Sequence, residues 1–510
     1  MTPVPPSLTC ANLGDLIPRD RYQDEDAYID LHDPVRPWTW TFGAMAGRVD
    51  AVGRGLLAHG YRPGDRIAII SGNRAEFMQV YLGVMRAGLV AVPINFRLPR
   101  DTVEYILRDA AVRMAIVDGP RRELVPAGVR VYSIDGEAKE SLANLLDPGP
   151  LRLGPRPAAR LAKILYTSGS TGRPKGVPLD HDGQLWAVSK YFVGSEAGRK
   201  ERTVIVAPTY HKNGLFFSMV ALSNQFTVVS MPRFEARPYL HAVAKYRCTL
   251  LSGIPTMFAL LARERELIDE LDLSSVRTVT IGSAPLTGAL LDRVHAIFPG
   301  ATIQNGYGTT EAGACAFGPH PRGLARPPLA LGYPFPDIDW RLVNGPSADQ
   351  GVLELRTPAL MTGYVNLPEV TAARIRDGWY DTGDVMRHDA DGFFYFVSRA
   401  DDMFICGGEN IYPGEIEKLL ERHPAVAQAA VVPVPDEIKG QIPVAFVVLG
   451  PGRTATEAEI KEFALANGPA FAHPRFVVMK SVIPVGGTHK VDRKGLLEEA
   501  LAVVRATGRS

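Results

Sequence analysis

The chain has 510 residues, 46% of them hydrophobic, with 56 Lys and Arg against 55 Asp and Glu for a formal net charge of +1. That length exceeds one ordinary hydrophobic core, so two or more packed units are expected. The balanced charge supplies no global field for nucleic acid or an acidic membrane, so a small-molecule role fits better.

In chain order, the opening MTPVPPSLTCANLGDL carries no basic segment followed by an apolar core. No later apolar run reaches the ~20 residues of a membrane-spanning helix. The expectation is a cytoplasmic protein with no transmembrane segment. Within residues 66–96, RIAIISGNRAEFMQVYLGVMRAGLVAVPINF, IAII reads as a buried strand and VAVPI as the start of the next. Between them Asn73, with Glu76 three residues on, resembles a helix capping box, and Phe77, Tyr81 and Val84 fall on one helical face. AKILYT, TVIVAP, RTVTIG and GVLELR repeat the strand signal. A large α/β unit of mainly parallel strands follows, without internal repeats.

Around residues 398–402 the texture changes. SRADDMFICGGENIYPGEIEKLL places a charged step and a Gly-Gly turn before a helix with Ile416, Leu419 and Leu420 at core spacing. QAAVVPV and IPVAFVVL then read as strands, followed by a helix around Ile460 and Phe463 and a last helix with Leu496, Leu497 and Leu501. These form a small α+β unit over residues 401–510. Cys10, Cys248, Cys315 and Cys406 are scattered without a CxxC pair, which argues against a disulfide framework or a structural zinc site.

The densest chemical signal is YTSGSTGRPKGV, residues 166–177. Glycines let successive backbone N–H groups turn toward one anion, hydroxyls add donors without bulk, and Lys175 adds a mobile positive charge. The stretch is not a Walker A loop, because Pro174 precedes Lys175 and Gly176 follows it. On composition alone a flexible surface turn is the competing reading.

The order of residues adds more. YTSGSTGRPKG resembles the signature loop of the adenylate-forming superfamily, which includes acyl-CoA synthetases, firefly luciferase and peptide-synthetase adenylation domains. NGYGTTEAG (305–313) resembles its second motif, YDTGD (380–384) its third, and SRADDMFICGGENIYPGEIE its domain junction. THKVDR (488–493) sits where the family keeps a catalytic lysine. The resemblance implies a large α/β N-terminal domain over 1–400, of mostly parallel sheets with helices plus a small β subdomain. A smaller, mobile α+β C-terminal domain over 401–510 completes it.

The activity implied is joining a carboxylate to the α-phosphate of ATP, giving acyl-AMP and pyrophosphate. Anion meets anion there, so positive charge and Mg2+ must offset the repulsion. Thr167, Ser168, Gly169, Ser170, Thr171, Gly172 and Lys175 would grip the β- and γ-phosphates. Gly282, Ser283, Ala284 and Pro285, with Tyr307, would face adenine, and Asn305, Gly306, Gly308 and Thr309 belong to the same nucleotide site. Thr310 would contact the α-phosphate and Glu311 would bind the metal, although a Thr-Glu pair by itself reads as a helix start. Asp384 would accept from the ribose hydroxyls with Arg399 assisting, whereas DTGD by itself reads as a β-turn. Lys490 would bridge the acid and the α-phosphate. His489 stands where most relatives have Gly, and Arg493 and Lys494 are read as solvated. Asp401 matches the hinge from which the small domain swings, after which Gly407 and Gly408 would line a tunnel for the pantetheine arm of CoA.

PTYHKNGLFF, GIPTMF, GSAPL and NGYG should bound the acid pocket, with His211, Lys212, Ser283, Gly306 and Gly313 facing it. His211 is either structural or a pocket contact, and Lys212 either a surface charge or the partner of a second polar group on the acid. No aspartate stands where amino-acid-activating relatives pair the substrate's ammonium. Gly306 replaces the Arg of malonate-type ligases, and the Trp that narrows acetate-type pockets is absent.

The junction most resembles benzoate and chlorobenzoate CoA ligases, with medium-chain fatty acid ligases next. The expectation is CoA thioesterification of an aromatic, alicyclic or medium-chain carboxylic acid. ATP, Mg2+ and CoA are the implied cofactors and co-substrates, and a homodimer is compatible with the family. Transfer to a separate carrier protein, a luciferase-like oxidative step and a non-catalytic acyl-adenylate or acyl-CoA sensor are the alternatives. The sensor reading needs a damaged site, and Lys175, Glu311, Asp384, Arg399 and Lys490 are all present.

Overall fold

A computed structural model of the chain describes residues 12–20, 22–136, 138–152, 160–167, 173–191, 201–406, 409–470, 472–485 and 491–506. Ser168, Gly169, Ser170, Thr171, Gly172, Gly407, Gly408, His489 and Lys490 lie outside the described residues.

Two sheets build the large unit. The first runs in the order Thr302–Gly306, Thr278–Gly282, Leu250–Gly253, Arg202–Ile205, Thr227–Ser230, Asp26–Asp30 and Trp38–Thr41, parallel throughout except for the last pair. The second runs Arg130–Ser133, Val112–Val117, Arg66–Ile70, Val90–Pro93, Leu161–Thr167 and Lys175–Asp180, again parallel except for the last pair. Their central strands, Arg66–Ile70 and Val90–Pro93 among them, are near-continuous apolar runs, as burial on both faces requires. Ile67, Ala68, Ile69 and Ile70 are all fully buried.

The main core lies between these sheets and takes in the helices Phe42–Ala58, Ala75–Arg86, His181–Ser189 and Lys212–Ser223. The helix Ala75–Arg86 is therefore buried on every side, not only along Phe77, Tyr81 and Val84. Asn73 does not cap it. Its amide donates to the Ala207 and Met231 carbonyls, and its Oδ1 accepts from the Thr209 backbone and hydroxyl. The helix start is capped instead by Asp30 Oδ2, which accepts from Ala75 N at 2.7 Å.

A third, antiparallel sheet contains Asp339–Ser347, Gln350–Arg356, Trp379–His388 and Phe394–Arg399. GVLELR belongs to it, so that strand signal marks the β subdomain and not the parallel sheets. Its alternating burial is the pattern of a strand with one open face.

The C-terminal unit has its own core, drawn only from residues 404–504, around a five-stranded sheet containing Val426–Asp436, Gly440–Leu449 and Phe476–Lys480. Arg493 is not solvated. Its guanidinium donates to Glu417 Oε1 at 2.8 Å and to the Val431 carbonyl at 2.7 Å, while Lys494 is exposed. Among the described residues no helix is long and apolar enough to cross a membrane.

Candidate active site

Ligands of open α/β sheets bind in the crevice beyond the carboxyl ends of the strands. Thr278–Gly282 and Thr302–Gly306 are parallel neighbours with Gly282 opposite Gly306. GSAP and GYGTTE therefore leave the sheet side by side. Ser283 adopts φ +66°, a left-handed conformation that an L-residue keeps only where its surroundings enforce it.

Residues 309–313 form a tight turn, not a helix start. Thr309 Oγ1 accepts from Ala312 N at 2.9 Å, and Thr309 bridges Gly313. Tyr307, at the head of this loop, donates its hydroxyl to Asp384 Oδ2 at 2.6 Å. Burial, and then the Asp384 charge, push the Tyr307 phenol well above its ordinary range, so it remains a neutral donor.

Asp384 itself is buried and stands opposite Arg399 on the adjacent antiparallel strand. Arg399 Nη1 reaches its Oδ1 at 2.7 Å. Burial works against the guanidinium's charge, but Asp384 outweighs it and holds Arg399 above its usual range. YDTGD is a bulged strand, not the β-turn its composition suggests. Gly383 sits at φ +67°, Asp381 Oδ1 accepts from its amide, and Thr382 Oγ1 accepts from Asp384 N. The bulge turns the Asp384 carboxylate toward Tyr307.

Across the crevice, Glu311 Oε1 accepts from the Tyr364 hydroxyl at 3.0 Å, and its backbone carbonyl accepts from Met361 N at 2.7 Å. Lys175 Nζ lies 5.3 Å from the Tyr364 ring centre. Tyr364 thus joins the lysine of the first motif to the glutamate of the second. No local pattern marks this tyrosine, which follows Thr-Gly in a loop. Burial, and then the Glu311 carboxylate, push its phenol up.

Thr310 offers its carbonyl to Lys212 Nζ at 3.2 Å, and Lys212 also donates to the Thr309 carbonyl. His211 is the residue before the helix Lys212–Ser223, with its ring edge-on to Tyr210 at 4.7 Å. A Cβ at Gly313 would lie 3.1 Å from Ala359 Cβ and 3.4 Å from the Trp186 ring, so Gly313 is packed closely against both. Trp186 is held by Asp337, to which its Nε1 donates at 2.5 Å. Asp401 lies in the short turn Ala400–Asp402, its Oδ2 3.4 Å from Arg399 and 3.6 Å from Arg374.

Magnesium takes few protein carboxylates and completes its octahedron with phosphate oxygens and water. A single Glu311, oriented by Tyr364, suits it. Among the described residues no cluster of three or more His, Cys, Asp and Glu could hold a metal by itself.

Residues 19–365 match the family model of AMP-binding enzymes, and residues 415–490 match that of the AMP-binding enzyme C-terminal domain. A feruloyl-CoA synthase from an Amycolatopsis species is 34% identical over 459 residues, covering 88% of this chain and 92% of the relative. A fatty acid–[acyl-carrier-protein] ligase, ScoC of Streptomyces coeruleorubidus, is 30% identical over 503 residues, covering 91% of this chain and 93% of the relative. The crystal structure of the anthranilate CoA ligase AuaEII with anthranoyl-AMP superposes with a TM-score of 0.85 at 26% identity, covering 97% of this chain and 98% of that one.

Proposed function

Because the chain belongs to the AMP-binding enzyme family, we propose that it is an ATP-dependent carboxylic acid:CoA ligase. It converts an acid and ATP to acyl-AMP and pyrophosphate, and the CoA thiol then displaces AMP to give acyl-CoA. The observation that carries this reading is Asp384, one carboxylate oxygen engaged by Tyr307 and the other by Arg399. A carboxylate oxygen has a second lone pair, so the same group can accept from both hydroxyls of a ribose while its neighbours fix its plane.

The phosphates extend from there toward Thr310, Glu311 and Lys175. Mg2+ supplies positive charge where the two anions meet. Tyr364 orients Glu311, and Lys175 offsets the charge of the departing pyrophosphate. Lys490 supplies the second cation, from the C-terminal unit, beside the α-phosphate. The chain swings at Asp401 after adenylation and brings Gly407 and Gly408 to the thiol. The boundary between the domains falls there, at residues 400 and 401.

The acid is aromatic, alicyclic or medium-chain. Gly306, where malonate-type relatives carry Arg, adds no side chain to the pocket wall, which favours a larger apolar group. The names of the feruloyl-CoA synthase and the anthranilate ligase point the same way. Use of ATP and CoA favours the cytoplasm. Transfer to a carrier protein is the second reading, favoured by the similarity to ScoC.

A pyrophosphate-release screen over alkyl, aryl and dicarboxylic acids, each with CoA, with a phosphopantetheinylated carrier protein or with neither, tests the proposal. Acid-dependent release with thioester formed on CoA supports it. Release with every product on the carrier transfers the function to the second reading, and no release with any acid removes both.

A further inference from the structure

We propose that Lys212 is a positioning residue for adenylation: from the first turn of its helix it clamps the Thr309 and Thr310 carbonyls and so fixes Thr310 and Glu311 against the nucleotide phosphates. The inference rests on the reading of this crevice as the ATP site.

A surface charge would not be built this way. Lys212 opens the helix Lys212–Ser223, where the helix dipole disfavours a cation, and it is partly buried as well. An amine in that position needs strong acceptors, whether or not it carries the proton. It finds two, across 97 and 98 residues of sequence, in consecutive carbonyls of the loop that carries the site. Burial pushes the amine down to about 7, and Glu311 is the carboxylate that opposes this shift.

The base of the clamp is rigid. Asn73 grips the Ala207 carbonyl and the Thr209 backbone and hydroxyl, just before the helix. Gly214 lies so close that a Cβ there would be 2.5 Å from the Ala207 carbonyl oxygen. The other side of the loop is held as well, by Met361 N on the Glu311 carbonyl and by Thr357 Oγ1, which donates to the Ala312 carbonyl at 2.6 Å. Lys212 supplies the grip on the two residues that precede Glu311. With both its contacts on the backbone, it sets the shape of the loop rather than reading the acid.

Calorimetric titration with Mg·ATP and with adenosine, on the full chain and on Lys212→Met, tests this without requiring turnover. Methionine keeps the length of the stem and removes the donors. Mg·ATP should bind about tenfold more weakly, the loss expected when two partly buried carbonyls lose their donor. Adenosine, held by Asp384 and Tyr307, should bind within about twofold of the parent, and Lys212→Arg should recover most of the Mg·ATP affinity. With an acid that turns over, kcat for pyrophosphate release should fall while the KM for the acid is unchanged.

Equal Mg·ATP binding by Lys212→Met overturns the inference. So does a parallel loss of adenosine binding, which would make Lys212 a determinant of the fold, and so does an effect confined to the KM of the acid. A parent protein that binds adenosine no less tightly than Mg·ATP would instead overturn the reading of the phosphate site itself.

Discussion

Tyr307 and Asp384 are 77 residues apart in the chain, and the tyrosine hydroxyl donates to the aspartate at 2.6 Å. The contact ties the end of a parallel strand to a bulge in the antiparallel sheet. Tyr307→Phe removes the donor and keeps the ring. A hydrogen bond to a charged group contributes about 1.5–3 kcal/mol. The KM for ATP should therefore rise about tenfold or more, with the KM for the acid little changed. Steady-state kinetics with each substrate varied separately will show this, and an unchanged KM for ATP would remove Asp384 from the nucleotide site.

Tyr364→Phe acts on the metal. Without the hydroxyl at Glu311 Oε1, the carboxylate loses its orientation. The Mg2+ concentration giving half-maximal adenylation should rise, by about tenfold. Titrating Mg2+ at saturating ATP checks it. An unaltered titration curve would mean that Glu311 does not depend on this tyrosine.

Asp401→Pro separates the two half-reactions. Proline fixes φ and stiffens the turn Ala400–Asp402. Acid-dependent formation of acyl-AMP should persist within about threefold, while thioester formation drops by about a hundredfold or more. Equal loss of both steps would count against a pivot at this residue.

Glu421 makes stability depend on pH. It follows the helix Pro413–Leu420, and Ala429 N donates to its Oε1 at 3.0 Å. Burial outweighs the Ala429 amide, the Thr287 hydroxyl and Arg293, and with Glu417 nearby the carboxyl is pushed from 4.5 up to about 7. Between these values the folded chain keeps a proton that the unfolded chain has released. Its contribution to stability therefore falls as pH rises through that window, then levels off above it. Glu421→Gln keeps an acceptor for Ala429 and removes the titration. The variant should gain stability relative to the parent as pH rises, on the order of 2 kcal/mol by pH 8. Denaturant melts from pH 5 to 8 will show the divergence, and parallel curves would contradict it.

The parallel strands at IAII, VAVPI, AKILYT, TVIVAP and RTVTIG were legible because burial on both faces leaves apolar runs, whereas more polar parallel strands such as Thr302–Gly306 were not. The site loops were named from the order of their glycines, hydroxyls and carboxylates, which resembles that of the adenylate-forming superfamily. What could not be read were pairings made by the crossing of sheets. Asn73 has the local look of a cap, yet its partners Ala207, Thr209 and Met231 lie far along the chain. Tyr364 meets Glu311 across 53 residues, and no periodicity encodes such a contact. DTGD suits a turn or a bulge equally, since both use a glycine at positive φ. Only its ladder partners decide between them. Lys212 showed the same limit: its residue type raised the question, but its acceptors are defined only in three dimensions.

The central claim is that this chain adenylates a carboxylic acid and passes it to CoA through acyl-AMP. A single turnover with excess enzyme, ATP labelled in the adenosine moiety and an acid active in the screen, followed by addition of CoA, tests it most directly. Label should move into acyl-AMP before CoA is added and appear as AMP afterwards, in step with the thioester. Release of ADP, or a thioester formed without labelled acyl-AMP preceding it, would contradict the account.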